Sequence, residues 1–285
     1  MISGFLDERS RQRYHDVYDS LLDWPVPSED LTVETRFGPT YVRRSGAETG
    51  MPVVLLHGVL ATSLSWQDCA AELGARNPVY AVDSIGEPGR SVQTEPMPDA
   101  RSNADWLADV LAGLGHDRYH VAGVSRGGWL ALNLALRDPG RVAGVTAFDP
   151  GGLDELGWRL RRWMVAGLAV MLAPAFIRRR FGPGSAYSAF TDPMHRRLVL
   201  AQLKHRTAVS ALDRFTDDQW RSLAVPTTLV LAEHSPAHDS EEVRQRLRDL
   251  APHVEVEIVP GTAHGMDLFT PERLSDRILR GTPES

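Results

Sequence analysis

The chain has 285 residues, of which 42% are hydrophobic and 24% charged, and this composition excludes an intrinsically disordered or collagen-like protein. The formal net charge of −6 argues against a generic nucleic-acid-binding protein. A single cysteine, Cys69, excludes an internal disulfide, and we expect it to pack in the core. The charged N-terminus lacks the apolar run of a secretory signal, so we expect a cytoplasmic protein whose mature chain starts near Met1.

The first predicted elements are a helix and a hairpin. Helical spacing of apolar side chains predicts a helix containing Tyr14, Val17, Tyr18, Leu21 and Leu22. Two prolines, Pro25 and Pro27, end this helix. The segments LTVETR and YVRR, joined by FGPT, are typical of a β-hairpin.

From Pro52 onwards the pattern changes to short continuous apolar runs that alternate with amphipathic segments. The runs are PVVLLHG, PVYAVD, YHVAGVS, VAGVTAFD, TTLVLAE and VEVEIVPG. Strands buried on both faces have continuous apolar sequences, and helices between them provide the crossovers that parallel strands require. The sequence therefore predicts an α/β protein whose central sheet is mostly parallel, with helices on both faces.

The alternation is interrupted at 151–216, where helical spacing continues and no strand is predicted. This stretch contains eleven Arg or Lys against four Asp or Glu, a charge of +7, which leaves −13 on the rest of the chain. We predict an inserted helical cap at 151–216, after the sixth strand, above the carboxyl ends of the strands of a core formed by 1–150 and 217–285.

Within the predicted cap, residues 163–177 carry no charge. The stretch is interrupted by Pro174 and is shorter than the roughly 20 residues of a membrane span, so we expect no transmembrane segment. The favoured interpretation is a buried cap helix. Because arginines precede and follow the stretch, the alternative of an interfacial segment that contacts lipid stays open.

The motif GVSRGG, residues 123–128, carries the strongest chemical signal. It follows an apolar strand and precedes an amphipathic helix, which is the context in which a turn exposes a nucleophilic serine. Ser125 is therefore the candidate nucleophile. The backbone N–H of Arg126, at the start of the helix, is a candidate donor to a developing oxyanion.

A serine hydroxyl is hardly ionised at neutral pH, so it needs a nearby base such as histidine. His264 lies in PGTAHGMD, after the last apolar run, and is the candidate general base. His57 lies in LLHGVL after the first buried strand, where we expect it to shape the turn. The N–H of Val59 in that loop is the second candidate oxyanion donor, together with Arg126.

Taken together, these segments resemble the α/β-hydrolase superfamily over residues 31–279. HGVLATSLSW is similar to its oxyanion loop, YAVDSIGEPGRS to the turn after the next strand, and GVSRGG to its nucleophile elbow. PTTLVLAEHS and GTAHGM are similar to its acid and histidine loops, and the N-terminal lead-in resembles a bacterial carboxylesterase branch. The resemblance implies ester hydrolysis, without a cofactor, by a serine, acid and histidine triad under a cap that sets substrate choice.

The chain departs from the superfamily at the acid. The usual acid position is occupied by Ser235, which cannot carry a negative charge. Three carboxylates are candidates: Asp149 at the end of the sixth strand, which we favour, and the alternatives Asp239 and Glu233. Asp239 is also expected to cap the next helix, and Glu233 is expected to point toward other partners. A dyad without an acid remains a further alternative.

No other motif supports a cofactor. His234, His238 and Asp239 are close in sequence but lack a fourth metal ligand, and no phosphate-binding glycine motif occurs. We therefore predict a serine hydrolase that acts on a small or medium apolar carboxylic ester. The basic cap motivates an alternative, a thioesterase, acyltransferase or cyclase that takes an acyl group from coenzyme A or an acidic carrier protein. The missing acid motivates another, a non-catalytic ligand-binding protein.

Overall fold

The computed structural model describes residues 1–155, 157–181, 185, 187–264 and 270–283. The strands of these residues are β1 Gly4–Phe5, β2 Ser28–Val33, β3 Thr40–Gly46, β4 Val53–Leu56, β5 Pro78–Val82, β6 Tyr119–Val124, β7 Val142–Phe148, β8 His205–Arg206, β9 Thr227–Ala232 and β10 Glu255–Val259. Eight of them form the main sheet, in the order β10-β9-β7-β6-β4-β5-β3-β2.

The main sheet is mostly parallel, as predicted. The hairpin of β2 and β3 lies at one edge, where β3 pairs antiparallel with β5, whereas β4, β5, β6, β7, β9 and β10 are parallel to one another. The six apolar runs of the sequence form these six parallel strands. The predicted α/β class is therefore confirmed.

Most of the remaining regular structure of the described residues is α-helical. They are α1 Glu8–Leu21, α2 Ala70–Gly74, α3 Ala100–Leu114, α4 Arg126–Arg137, α5 Trp158–Leu172, α6 Ala175–Arg178, α7 Ser188–Thr191, α8 Pro193–Ala201, α9 Asp217–Ser222, α10 Ser240–Leu250 and α11 Pro271–Gly281. A 3-10 helix, Ser63–Cys69, precedes α2.

Helices cover both faces of the sheet because side chains alternate along each buried strand. In β4, Val54 and Leu56 pack in a cluster with residues of α3, α4 and α10. Val53 and Leu55 point to the opposite face and pack with residues of α2 and α11. Cys69 lies in this second cluster, as predicted, and burial raises the pKa of its thiol to about 12.

The segment between β7 and β9 is mostly helical, with α5 to α8 in the predicted cap. The expectation that it contains no strand is wrong, because β8 pairs antiparallel with β1 at the N-terminus. The N-terminal helix also contacts the segment, since Tyr14 and Tyr18 of α1 cluster with Leu198 and Ala201 of α8. A two-residue strand has no periodicity to detect, so this pairing is visible only in three dimensions.

Burial of the uncharged stretch is the second expectation that fails. Helix α5 ends at Leu172, before Pro174, and one of its sides is exposed, with 71% of Val165 and 59% of Leu172 accessible to solvent. Absence of charge does not distinguish a buried helix from one that exposes apolar side chains. Within the described ranges, no helix has the length and apolar character needed to cross a bilayer.

Candidate active site

Ser125 lies at the junction between β6 and α4. Its backbone has φ 53° and ψ −110°, a positive-φ conformation that costs of order 1–3 kcal/mol outside glycine. Two glycines let the strand and helix approach closely. A Cβ on Gly127 would lie 2.1 Å from the carbonyl oxygen of Leu56, and one on Gly123 would lie 2.2 Å from the carbonyl carbon of Gly127. The motif therefore forms the tight strand-to-helix turn that its sequence predicts.

The loop after β4 passes beside this serine. A Cβ built on Gly58 would lie 3.5 Å from Cβ of Ser125, and Val59 lines the same cavity as Ser125. His57 is buried, where its Nε2 accepts a hydrogen bond from the backbone N–H of Ser84 at 2.9 Å. Its Nδ1 is then the protonated nitrogen and lies 2.8 Å from the carbonyl oxygen of Gly58. His57 thus shapes the loop that carries Val59.

Arg126 is the first residue of α4, so its backbone N–H has no acceptor within the helix. Its side chain is buried and turns away from the cavity. The guanidinium Nε donates to Oε1 of the buried Glu87 at 2.8 Å, and Nη2 donates to Oδ1 of Asn103 at 3.2 Å. This buried ion pair fixes the start of the helix directly behind Ser125.

The imidazole of His264 contacts the favoured acid, Asp149. Nδ1 of His264 lies 2.5 Å from Oδ2 of Asp149, although the two residues are 115 positions apart in the chain. Asp149 directly follows β7, and its backbone N–H donates to the carbonyl oxygen of Val230 in β9 at 2.8 Å. Residues 265–269, which complete the GTAHGM segment, lie outside the described residues.

The carboxylate of Asp149 is fully buried and surrounded by polar partners. The Ala232 N–H and Nε2 of His238 each lie 3.0 Å from Oδ1, and Oγ of Ser235 donates to Oδ2 at 2.9 Å, beside His264. Burial alone would raise the pKa of Asp149. The adjacent imidazoles of His238 and His264 outweigh burial and hold this pKa well below its ordinary range. Asp149 is therefore an ionised hydrogen-bond acceptor.

The two alternative acids make other contacts. Asp239 is the N-cap of α10, as the sequence also suggested, and its Oδ1 accepts from the N–H groups of Glu241 and Glu242 at 3.0 and 3.1 Å. Oε2 of Glu233 accepts from the N–H of Gly261 at 2.7 Å. Of the three candidates, Asp149 is the carboxylate in contact with His264.

The three side chains considered as metal ligands have different partners. His238 points to Asp149, Asp239 caps α10, and His234 is exposed with Nε2 3.6 Å from Oε2 of Glu233. In the part of the chain that the structure describes, no group of three His, Cys, Asp or Glu side chains could hold a metal ion.

A cavity of about 420 Å³ lies at the carboxyl ends of the strands, and both Ser125 and His264 line it. The apolar part of its lining comes mainly from Val59, Leu60, Trp66, Leu160, Trp163, Met164, Phe190, Met194, Leu198, Leu212 and Leu274. The ring of Trp163 in α5 meets the imidazole of His264 edge-on, with centroids 5.4 Å apart. The described lining residues include the carboxylates Asp68 and Asp192 but no arginine or lysine.

Sequence alone does not predict the contacts of His238, Ser235 and Glu87. The first two lie in the loop that follows β9, whose end is next to Asp149, and Glu87 lies in the turn motif after β5. In the sequence, the signal that could have pointed to these three residues is their position just after predicted strands. Only the strand order tells which carboxylate or guanidinium they meet.

The fold and the strained serine turn define a hydrolase of the α/β type, and the family comparison agrees. The model of the alpha/beta hydrolase family matches residues 53–277. The chain belongs to this family, as its motifs predicted.

Two curated relatives from Bacillus subtilis strain 168 are similar over most of the chain. "Uncharacterized carboxylesterase nap" is 30% identical, covering 94% of this chain and 91% of the relative, and "Carboxylesterase YbfK" is 29% identical, covering 96% and 95%. Among solved structures, carboxylesterase CesB (YbfK) superposes with a TM-score of 0.83 at 28% identity, covering 96% of this chain and 98% of that one. Naproxen esterase gives 0.81 at 27% identity, covering 97% and 99%. The chain is a carboxylesterase-like serine hydrolase.

A pair of serine variants tests the surroundings of Asp149. Ser235→Ala removes a hydrogen bond to a buried carboxylate, so we expect it to lower the free energy of unfolding by about 1.5–3 kcal/mol. The matched variant Ser240→Ala removes a bond to the neutral carbonyl oxygen of Ala232 and a longer contact of 3.3 Å with Nδ1 of His238, and should lose about 0.5–1.5 kcal/mol. Urea unfolding at neutral pH measures the free energy of unfolding of both variants. A larger loss of stability for Ser240→Ala than for Ser235→Ala would contradict the assignment of Asp149 as an ionised acceptor of the Ser235 hydroxyl.

Proposed function

We propose that this protein hydrolyses carboxylic esters through an acyl-enzyme on Ser125. Oγ of Ser125 attacks the ester carbonyl carbon, and the hydroxyl proton passes to Nε2 of His264. The attack converts the ester into a tetrahedral intermediate bound to Ser125. The intermediate collapses when the C–O bond to the alcohol breaks and the alcohol oxygen takes the proton from His264. Water then repeats the sequence against the acyl-enzyme and releases the acid.

The observation that carries the proposal is the contact between His264 and Asp149 beside the cavity that Ser125 lines. An ionised Asp149 accepts a hydrogen bond from Nδ1–H of His264, which leaves Nε2 unprotonated and able to receive the serine proton. The same carboxylate stabilises the imidazolium formed in each step. Asp149 thus takes the role of the acid, and Ser235 in the usual acid position acts as one of its hydrogen-bond donors.

The proposed oxyanion donors are the backbone N–H groups of Val59 and Arg126. The N–H of Arg126 is at the first position of α4, where the helix dipole favours negative charge. The loop that carries Val59 passes beside Ser125 and is held by the buried His57. Both donors belong to backbone held by buried side chains, so little reorganisation is needed when the oxyanion forms.

The cavity favours a neutral, apolar ester of small or medium size. Its volume lies within the usual range for small-molecule sites, about 300–1,000 Å³. Most of the lining is apolar, and the charged groups among the described lining residues are the carboxylates Asp68 and Asp192. A substrate with its own negative charge near the reacting carbonyl would be repelled.

The alternative functions have weaker support. Coenzyme A or an acidic carrier protein would bind through its negative charge to the positively charged residues of 151–216. The arginines of this stretch are, however, absent from the described cavity lining. A purely ligand-binding role is disfavoured by the carboxylesterase relatives and by the intact contact between His264 and Asp149. Ester hydrolysis is the function that the geometry supports best.

Covalent labelling tests the nucleophile. Treatment with a fluorophosphonate should add one phosphonyl group to Ser125, detected by mass spectrometry of the peptide, because the activated Oγ attacks phosphorus as it attacks a carbonyl. Ser125→Ala should abolish the label, whereas Ser65→Ala, a change in another serine of the cavity lining, should retain it. An unlabelled but folded wild-type protein would refute the proposal.

A pair of asparagine variants tests the acid. We expect Asp149→Asn to reduce kcat by up to about 10⁴-fold. The ring of His264 would no longer be held in the tautomer with a free Nε2, and it would lose its anionic partner. Asp239→Asn is the control, since asparagine caps a helix as well as aspartate does, and kcat should be nearly unchanged. Equally small effects of both substitutions would remove Asp149 from the mechanism.

Substrate charge provides a further prediction. We expect kcat/KM for p-nitrophenyl butyrate to exceed that for the p-nitrophenyl monoester of succinic acid by about tenfold or more, because of repulsion by the cavity carboxylates. Asp192→Asn keeps the N-cap of α8 and should narrow this difference, whereas Asp218→Asn, on an exposed side chain of α9, should not. Equal rates for both esters would contradict the proposed substrate class.

A further inference from the structure

Helix α5 has two sides with different surroundings. Leu160, Trp163 and Met164 line the catalytic cavity, and Trp163 contacts the imidazole of His264. Gly167 lies against the ring of Phe190, where a Cβ would come within 2.2 Å of a ring carbon. This inner side is therefore packed on the rest of the protein, and one helix separates the cavity from the solvent on the far side.

The opposite side of α5 is apolar and exposed. At 100° per residue, Trp158, Val165, Leu168 and Leu172 share one side of the helix, and Phe176 in α6, four residues after Leu172, is also exposed. We call these five residues the outer apolar face. The exposed fractions are 63% for Trp158, 71% for Val165 and 72% for Phe176. Exposed apolar side chains that are grouped on one side of a helix indicate a binding surface.

Arginines lie at both ends of the outer apolar face. Arg161 and Arg162 lie beside Trp158, and the Arg162 guanidinium stacks 4.7 Å over its ring. Arg179 and Arg180 follow Phe176 in the chain. Among the described residues, none of these four arginines has a carboxylate within ion-pair distance. The face thus combines an apolar centre with positive charge at each end.

The charge pattern decides between the possible occupants. A second copy of this chain that met the same face about a twofold axis would bring arginines against arginines. An anionic lipid surface instead offers phosphates to the arginines and acyl chains to the apolar centre. The +7 charge of residues 151–216, against −13 elsewhere, also orients this side of the protein toward a negative surface. The 15 residues of α5 span only about 22 Å, less than the bilayer core, so the helix would lie along the interface.

We propose that the outer apolar face docks this protein on the surface of membranes that contain anionic lipid. The catalytic cavity is lined by the inner side of the docked helix. Docking therefore brings the cavity within about one helix diameter, 10–12 Å, of the lipid. Apolar esters dissolved in the membrane would then lie close to Ser125.

Vesicle co-sedimentation of the full chain carrying Ser125→Ala tests the proposal without dependence on catalysis. We expect binding to vesicles of phosphatidylcholine with phosphatidylglycerol, and about tenfold or more weaker binding after Leu172→Glu, because a charge replaces an inserted leucine. The control Leu203→Glu changes a leucine that is 73% exposed but outside the face, and it should bind like the parent protein.

A second pair of variants tests the arginines. The double substitution Arg179→Gln and Arg180→Gln should weaken vesicle binding roughly tenfold, whereas Arg101→Gln should not.

Three outcomes would overturn the proposal. One is a parent protein that stays in solution in the presence of the anionic vesicles. Another is equal binding by Leu172→Glu and Leu203→Glu. The third is a dimer in sedimentation velocity that Leu172→Glu dissociates, without vesicle binding, because the face would then be an interface between copies. In the background that retains Ser125, hydrolysis of a short water-soluble ester should be the same for Leu172→Glu and wild type, which separates lost docking from a damaged active site.

Discussion

The buried carboxylate of Asp149 is the group on which the geometry of the site depends. Removing an aspartate from water favours its neutral form, and an isolated buried Asp149 would take up a proton. Contacts with His238 and His264 oppose this effect and lower its pKa, and the Ser235 hydroxyl and the Ala232 N–H also donate to the carboxylate. Because the carboxylate stays ionised, it accepts from Nδ1 of His264 and fixes the orientation of that ring.

The position of the proposed acid, Asp149, follows from the order of the strands. β7 and β9 are neighbours in the sheet and β10 follows β9, so their carboxyl ends form one edge of the site. A carboxylate at the end of β7 lies one strand spacing, about 5 Å, from the loop after β9, and Asp149 in this position still forms a hydrogen bond to His264. The serine left in the usual position keeps a polar role, since its hydroxyl binds the relocated carboxylate.

Helix α5 connects the chemistry of the site to the surface of the protein. Its inner side supplies Trp163 to the ring of His264, and Nη2 of Arg159 donates to the carbonyl oxygen of Ser235 at 3.3 Å. The helix therefore contacts both the histidine and the loop that surrounds Asp149. Its other side carries the exposed Val165 and Leu172. The packing of α5 therefore contributes to the surroundings of the imidazole.

Sequence by itself determined the α/β class, the parallel strands and the serine turn, because each has a local signature. Continuous apolar runs specify buried strands, and GVSRGG between a strand and a helix specifies the turn that holds Ser125. Tertiary structure alone decided which carboxylate meets His264, what His238 and Ser235 contact, and which side of α5 is exposed. It also decided that β1 pairs with β8. These features join residues that are far apart in the chain, and their geometry is set by strand order and packing, which local periodicity does not encode.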